Sequence, residues 1–270
     1  MPHRQAAPLQ ALQTRSTPLL RVKGLKVSFG GIQALDGIDF EVNRGEIFGL
    51  IGPNGAGKTT LFNCLSGVNT PQAGVIELDG RNVAAMPPHL LAQQGVARTF
   101  QNLALFDSMT VRDNILCARY ASAREGWLAH ALAGRRVAAE ESAARARTDE
   151  LIVRMGLADL AERRVTELPL GTRKRVELAR ALACAPRLLL LDEPASGLTV
   201  AELDSLANLI ASVASEQGIT VLLIEHRMRL VHAICDRVLA LNFGKKIAEG
   251  NPAEVAADPE VISAWMGHVQ

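Results

Sequence analysis

The 270-residue sequence predicts an α/β fold, and three features carry that expectation. Short, almost wholly apolar runs, Leu188–Leu191 and Ile219–Ile224, read as strands of a parallel sheet covered on both faces. Helical stretches at Leu170–Ala185 and Ala201–Glu216 alternate with those runs, as strand–helix–strand units do. The third feature is Gly52-Pro53-Asn54-Gly55-Ala56-Gly57-Lys58-Thr59-Thr60, which fits G-x-x-x-x-G-K-[ST] at every fixed position. It lies between a strand-like run, Glu46–Ile51, and a helix opening at Lys58 and running to Leu65. Together these features describe a P-loop-type core.

Taken in order, the first 18 residues carry Pro2, Pro8 and Pro18 with Arg4 and Arg15 and no continuous apolar stretch. They read as a disordered tail rather than a signal peptide. Leu19–Ser28 and Gly37–Val42 alternate apolar and polar residues, as antiparallel strands do. After the Lys58 helix come a strand over Gly74–Asp79, a short helix over Pro87–Gln94 and an extended Val96–Phe100. From Thr110 to about Arg164, Ala, Arg and Glu dominate, and the spacing turns helical through Val111, Ile115 and Leu116. Thr110 is a cap candidate, and Gly126, Gly134 and Gly156 punctuate an inserted lobe of short helices. Within it, Ala121–Ala146 is poor in large apolar residues and reads in part as a solvated face. From Lys246 on, a short strand and two short helices surround Pro252 and Pro259.

Composition narrows the function classes. Lys plus Arg number 29 against 28 Asp plus Glu, a net charge of +1, which gives no electrostatic case for wrapping a nucleic acid. No apolar run approaches the roughly 18–20 residues that cross a bilayer as a helix, so any membrane contact is expected through a partner. Cys64, Cys117, Cys184 and Cys235 form no C-x-x-C pair and read mostly as buried, reduced thiols.

The chemistry-bearing residues follow from their positions. The glycines of Gly52–Thr60 let consecutive backbone N–H groups surround a phosphate chain, and the helix N-terminus at Lys58 adds its dipole. Lys58 would reach the β- and γ-phosphates, and the Thr59 hydroxyl would ligate Mg²⁺. Asp192 and Glu193 end a run of four leucines, at the strand edge where ligands of open α/β sheets bind. One carboxylate there can hold Mg²⁺, and the next can orient and deprotonate water. His226 ends the run Val221–Ile224 one residue later and reaches the γ-phosphate if the two strands are neighbours. Phe29, upstream of the loop, is a candidate to stack on adenine or is a core or turn aromatic. Gly171, opening a helix, is a second anion-binding device, which suggests service to a different ATP. The basic residues Arg173, Lys174 and Arg175 beside it belong to that device or to a solvated helix face.

At this point the chain resembles the ATP-binding subunits of ABC transporters, most closely those of branched-chain amino-acid uptake systems. The matching stretches are Phe29-Gly30-Gly31, Arg98-Thr99-Phe100-Gln101-Asn102, Leu168–Leu182, Leu191-Asp192-Glu193-Pro194-Ala195 and Ile224-Glu225-His226. The tail from Ala248 through Trp265-Met266-Gly267 is similar to the C-terminal extension of that subfamily. The resemblance implies a P-loop NTPase core of ABC-ATPase type with an antiparallel β subdomain and an inserted α-helical subdomain. It divides the chain into a tail over 1–18, an ATPase domain over 19–245 with the insertion at about 102–168, and an extension over 246–270.

The resemblance also implies roles. Gln101 would be the lid glutamine that senses Mg²⁺ and nucleotide, and Gly171 would contact the ATP of an opposite subunit. Asp192 would hold Mg²⁺ through water, Glu193 would be the base, and His226 the γ-phosphate switch. The implied partners are a second ATPase subunit, two integral-membrane permease subunits and, indirectly, an extracytoplasmic solute-binding protein, with the chain on the cytoplasmic face of the membrane. Nucleic acid is not an expected partner.

Four positions depart from the family pattern. Pro169 stands where the common form has Ser, Leu170 and Arg173 replace the subfamily's Tyr and Gln, and Thr199 follows Gly197-Leu198 where Asp or Asn is usual. These changes fall on surfaces acting on the partner's nucleotide and suggest a heterodimer with unequal sites. The alternatives are a soluble ABC-type ATPase acting on nucleic acid or ribosomes, and a non-hydrolysing regulatory cassette. The first usually carries two cassettes, a long coiled coil or basic arms; the intact Lys58, Asp192, Glu193 and His226 argue against the second.

Overall fold

A computed structural model of the chain describes residues 18–100, 103–121 and 134–266. The tail over 1–17, Gln101 and Asn102, Gly126, much of the expected solvated stretch and Gly267 lie outside the described residues.

Two sheets organise the rest. The first is antiparallel, built from β1 (Leu20–Phe29), β2 (Ile32–Val42), β4 (Ala73–Leu78) and β5 (Arg81–Asn82) in the order β2-β1-β4-β5. Gly30 and Gly31, both in the left-handed region at φ 53° and 87°, turn β1 back into β2. The second holds β3 (Ile47–Ile51), β6 (Val96–Arg98), β7 (Leu188–Asp192), β8 (Thr220–Ile224), β9 (Arg237–Asn242) and β10 (Lys245–Gly250), ordered β10-β9-β3-β8-β7-β6. All its neighbours are parallel except the β9–β10 hairpin. The expected α/β class with an antiparallel sheet is what the chain adopts.

Every residue of β3, β7 and β8 is buried, and side-chain alternation sends successive residues to opposite faces. Phe48, Leu50, Leu188, Leu190, Leu222 and Ile224 pack with the antiparallel sheet and α1 (Lys58–Leu65). Ile47, Ile51, Leu189, Leu191, Val221 and Leu223 pack against the helical side. Continuous apolar runs are thus the sequence signature of a sheet with no wet face.

The helical side contains α3 (Val111–Ala121), α4 (Gly134–Arg154), α5 (Leu170–Ala183) and α6 (Val200–Gln217), with α2 (Pro88–Gln93) before β6. Thr110 accepts the Asp113 N–H at 3.1 Å, the side-chain cap that α3 needs. Gly134 does not interrupt the lobe; it opens the 21-residue helix α4. Gly156, at φ 63°, follows the end of that helix. Beyond β8 lie α7 (Met228–Ile234), the β9–β10 hairpin, α8 (Pro252–Ala256) and α9 (Pro259–Met266). Asn251 caps α8 by a reciprocal pair of bonds with Glu254, and Pro252 occupies its first turn.

The four cysteines are free thiols. Cys64 and Cys235 are buried as expected, whereas Cys117 and Cys184 are only half-buried.

Candidate functional site

The phosphate loop leaves β3 and enters α1 with its glycines fixed for different reasons. Gly52 holds φ 143°, and a Cβ there would collide with the Leu241 carbonyl oxygen of β9. Gly57 holds φ 102°, with the Ala34 carbonyl oxygen of β2 only 2.6 Å from where a Cβ would sit. Gly55 faces open space and needs glycine only for its φ of 78°. Pro53 and Ala56 are buried, Asn54, Gly55 and Thr59 are exposed, and Thr60 is half-buried. The Gly244 N–H donates to the Ala56 carbonyl at 3.0 Å, so the β9–β10 turn braces the loop from behind. That hairpin strand, β9, is absent from the sequence reading.

Lys58 is buried, and its ammonium donates to the Gly52 and Pro53 carbonyls at 2.7 and 2.8 Å. Burial pulls its pKa below the ordinary lysine value, while the Glu193 and Asp192 charges push it back up. Pairing of Leu50 with Ile224, and of Ile224 with Asp192, sets the end of the carboxylate strand one strand away from the strand that feeds the loop. In that register β7 and β8 are neighbours. Glu193 and His226, just beyond the two strand ends, consequently share one edge, with Glu193 Oε1 3.9 Å from His226 Nδ1. Glu193 holds a left-handed φ of 48°, unusual for a residue with a Cβ and a form of strain that concentrates at functional sites. His226 is more than half exposed and free to meet a ligand at its open side.

Sequence reasoning gave no role to the carboxylate beside that histidine. Glu225 is fully buried and accepts three backbone N–H bonds, from Ala195 at 3.2 Å, His226 at 2.9 Å and Arg227 at 3.1 Å. It ties the turn after β7 to the turn after β8, which sets Glu193 and His226 relative to each other. Its place between an apolar strand and His226 was the available signal. Arg98 was also missed: its guanidinium donates to Asp192 Oδ2 at 2.8 Å.

The residues fit a magnesium nucleotide. Thr59 and Asp192 supply hard oxygen donors, the kind Mg²⁺ takes alongside phosphate oxygens and water. Among the described residues no cluster of three or more His, Cys, Asp or Glu could hold a metal alone. Phe29 is half-exposed at the end of β1, in the hairpin whose Ala34 abuts Gly57. Gln101 lies outside the described residues; its neighbour Phe100 donates its N–H to Glu177 Oε1 at 3.2 Å.

Gly171 sits in the first turn of α5, against Glu202, whose Oε1 is 2.5 Å from where a Cβ would stand. Glu202 in turn makes a capping box with Thr199, so the hydroxyl at that departure from the family pattern caps α6. Two residues of the basic run beside Gly171 make contacts within the protein. Lys174 is buried with Nζ 3.4 Å from the Glu193 carbonyl, and Arg175 reaches the Met155 carbonyl and Thr172 hydroxyl, both at 3.3 Å. Of the two readings open for this run, these contacts set Lys174 against the carboxylate strand and Arg175 against the lobe rather than in solvent.

The family described as ABC transporter matches residues 35–196, and the family described as branched-chain amino acid ATP-binding cassette transporter matches residues 245–269. The chain is 41% identical to the high-affinity branched-chain amino acid transport ATP-binding protein BraF of Pseudomonas aeruginosa, covering 93% of this chain and 99% of that one. It is 40% identical to the corresponding protein LivG of Escherichia coli over the same shares. Among solved structures, the ADP conformation of MJ1267, an ATP-binding cassette of an ABC transporter, superposes with a TM-score of 0.80 at 28% identity, covering 94% of this chain and all of that one. A nucleotide-free ATP-binding cassette from an ABC transporter gives 0.81 at 30% identity, over 92% and 99%. A phosphate loop, a carboxylate pair and a histidine on one sheet edge, in a chain matched along nearly its whole length by such cassettes, make this protein a member of the ABC transporter family and an ATPase.

Proposed function

We propose that this chain is the ATP-hydrolysing subunit of an importer for branched-chain amino acids or a related small polar solute, driving separate permease subunits from the cytoplasmic face of the membrane. The observation that carries the ATPase half is the convergence of Lys58, Asp192, Glu193 and His226 at one sheet edge. The substrate class rests on the names of BraF and LivG. None of the described helices is long and apolar enough to cross a membrane, which leaves the solute path to partners.

In this reading, backbone N–H groups of Gly52 through Thr60 grip the phosphates, Lys58 leaves its carbonyl partners for the β- and γ-phosphates, and Phe29 covers the adenine. Thr59 and, through water, Asp192 would hold Mg²⁺, which when bound would supply positive charge against the phosphates. Glu193 takes a proton from the attacking water while the bond from the γ-phosphorus to the ADP oxygen breaks. His226 hydrogen-bonds the γ-phosphate, and Gln101 reports the metal and nucleotide to the permease.

Gly171 faces the ATP of an opposing cassette, which makes the functional unit a head-to-tail pair. Pro169 offers no hydroxyl at the start of α5, and Arg173 replaces an amide there; in this reading the second cassette is a different chain that keeps those groups, which makes the two sites unequal. The test is reconstitution with the permease pair in proteoliposomes: ATP-driven uptake of leucine, isoleucine or valine supports the proposal. Uptake that proceeds with this chain omitted would refute it, and full cooperative hydrolysis by this chain dimerised alone would refute the unlike pair.

A further inference from the structure

Arg98, at the end of β6, lies where three parts of the site meet. Its Nη1 donates to Asn63 Oδ1 and Ser66 Oγ, both at 2.8 Å, at the far end of the phosphate-loop helix. Its Nη2 donates to Asp192 Oδ2 at 2.8 Å, and the two side chains of that pair are 10% and 7% exposed. The guanidinium carbon is 5.7 Å from the ring centre of Phe62 and 5.3 Å from that of Phe100, the residue before Gln101. Only a planar fork makes these bonds at once while contacting two rings; an ammonium at the same place could not.

This arrangement has a consequence for metal binding. Asp192 Oδ2 is occupied, whereas Oδ1 has no hydrogen bond among the described residues. The carboxylate is thereby held in one rotamer with one oxygen spoken for. We propose that Arg98 is the positioning residue for the metal: it orients Asp192 so that Oδ1 faces the magnesium shell, and it references that orientation to α1 and to Phe100. Resting on the magnesium-ATP reading of the site, the proposal assigns Arg98 no contact with ATP or the reacting atoms. Outer-shell partners of this kind typically change metal affinity about 10–100-fold when removed.

The test compares the affinity of the purified full chain for a fluorescent ATP analogue in excess Mg²⁺ and in EDTA; the ratio measures the metal's contribution without any turnover. In wild type the ratio exceeds one. Arg98→Met is expected to lower it about 10-fold, or to one where the wild-type ratio is below that, with affinity in EDTA unchanged. Arg98→Lys, which keeps the charge and loses the fork, is expected to fall between the two. Asn63→Ala with Ser66→Ala, which leaves Arg98 in place without its anchors, should lower the ratio less and serves if Arg98→Met does not fold. Variants with the wild-type ratio, or Arg98→Lys indistinguishable from wild type, overturn the proposal alone. A wild-type ratio of one overturns the magnesium site and the proposal with it.

Discussion

Glu193 and His226 stand 3.9 Å apart, Oε1 to Nδ1, although each lies beyond the end of a different strand. The parallel pairing of β7 with β8 and the three backbone bonds to Glu225 bring them together. A carboxylate and an imidazole fixed to one frame can act together on a single bound group.

Glu193→Gln keeps the shape of the side chain and removes its basicity. ATP binding should persist while turnover falls roughly 10²–10⁴-fold, the usual contribution of a general base. Phosphate release measured at saturating ATP gives the answer, and unchanged turnover would remove Glu193 from the role.

The loop glycines should differ in cost. Gly55→Ala meets no atom and costs only the left-handed backbone, about 1–2 kcal/mol. Gly57→Ala, at φ 102°, lies further from the left-handed well and also drives a methyl to 2.6 Å from the Ala34 carbonyl oxygen. Denaturant midpoints should therefore drop further for Gly57→Ala than for Gly55→Ala, with ATP affinity lost alongside.

Thr199 caps α6 through its capping box with Glu202. Thr199→Ala should cost about 0.5–2 kcal/mol in urea unfolding. Thr199→Asp, also a good capping residue, should be near neutral, which would show that the departure from the family pattern preserves the cap.

Alkaline stability should fall in a definite window. Burial raises the Cys64 thiol from its ordinary 9.0 to about 11 and the Cys235 thiol to about 12. The unfolded chain then loses these protons first, so stability is whole below pH 9 and declines from pH 9 up through 11 and 12. Cys235→Ala should flatten that decline in thermal melts taken between pH 8 and 11.

Much of this protein was legible in one dimension because the chemistry is local. A phosphate cradle is made of consecutive backbone N–H groups, so Gly52–Thr60 declares itself, and a sheet covered on both faces declares itself in runs such as Leu188–Leu191. The same locality makes Asp192, Glu193 and His226 visible as polar residues ending apolar strands. The β9 strand was missed although Val238–Leu241 is buried, since a short apolar run carries no mark of its sheet position.

What the tertiary structure alone decided is which distant residues meet. Arg98 and Asp192 are 94 positions apart and touch because β6 was placed beside β7. Phe100 reaches Glu177 across 77 positions, and Lys174 turns inward to the Glu193 carbonyl instead of outward to water. Strand order, unlike strand identity, depends on how two apolar sheet faces are divided between an antiparallel sheet and a helical lobe. That division is settled by the whole core at once, and no local pattern records it.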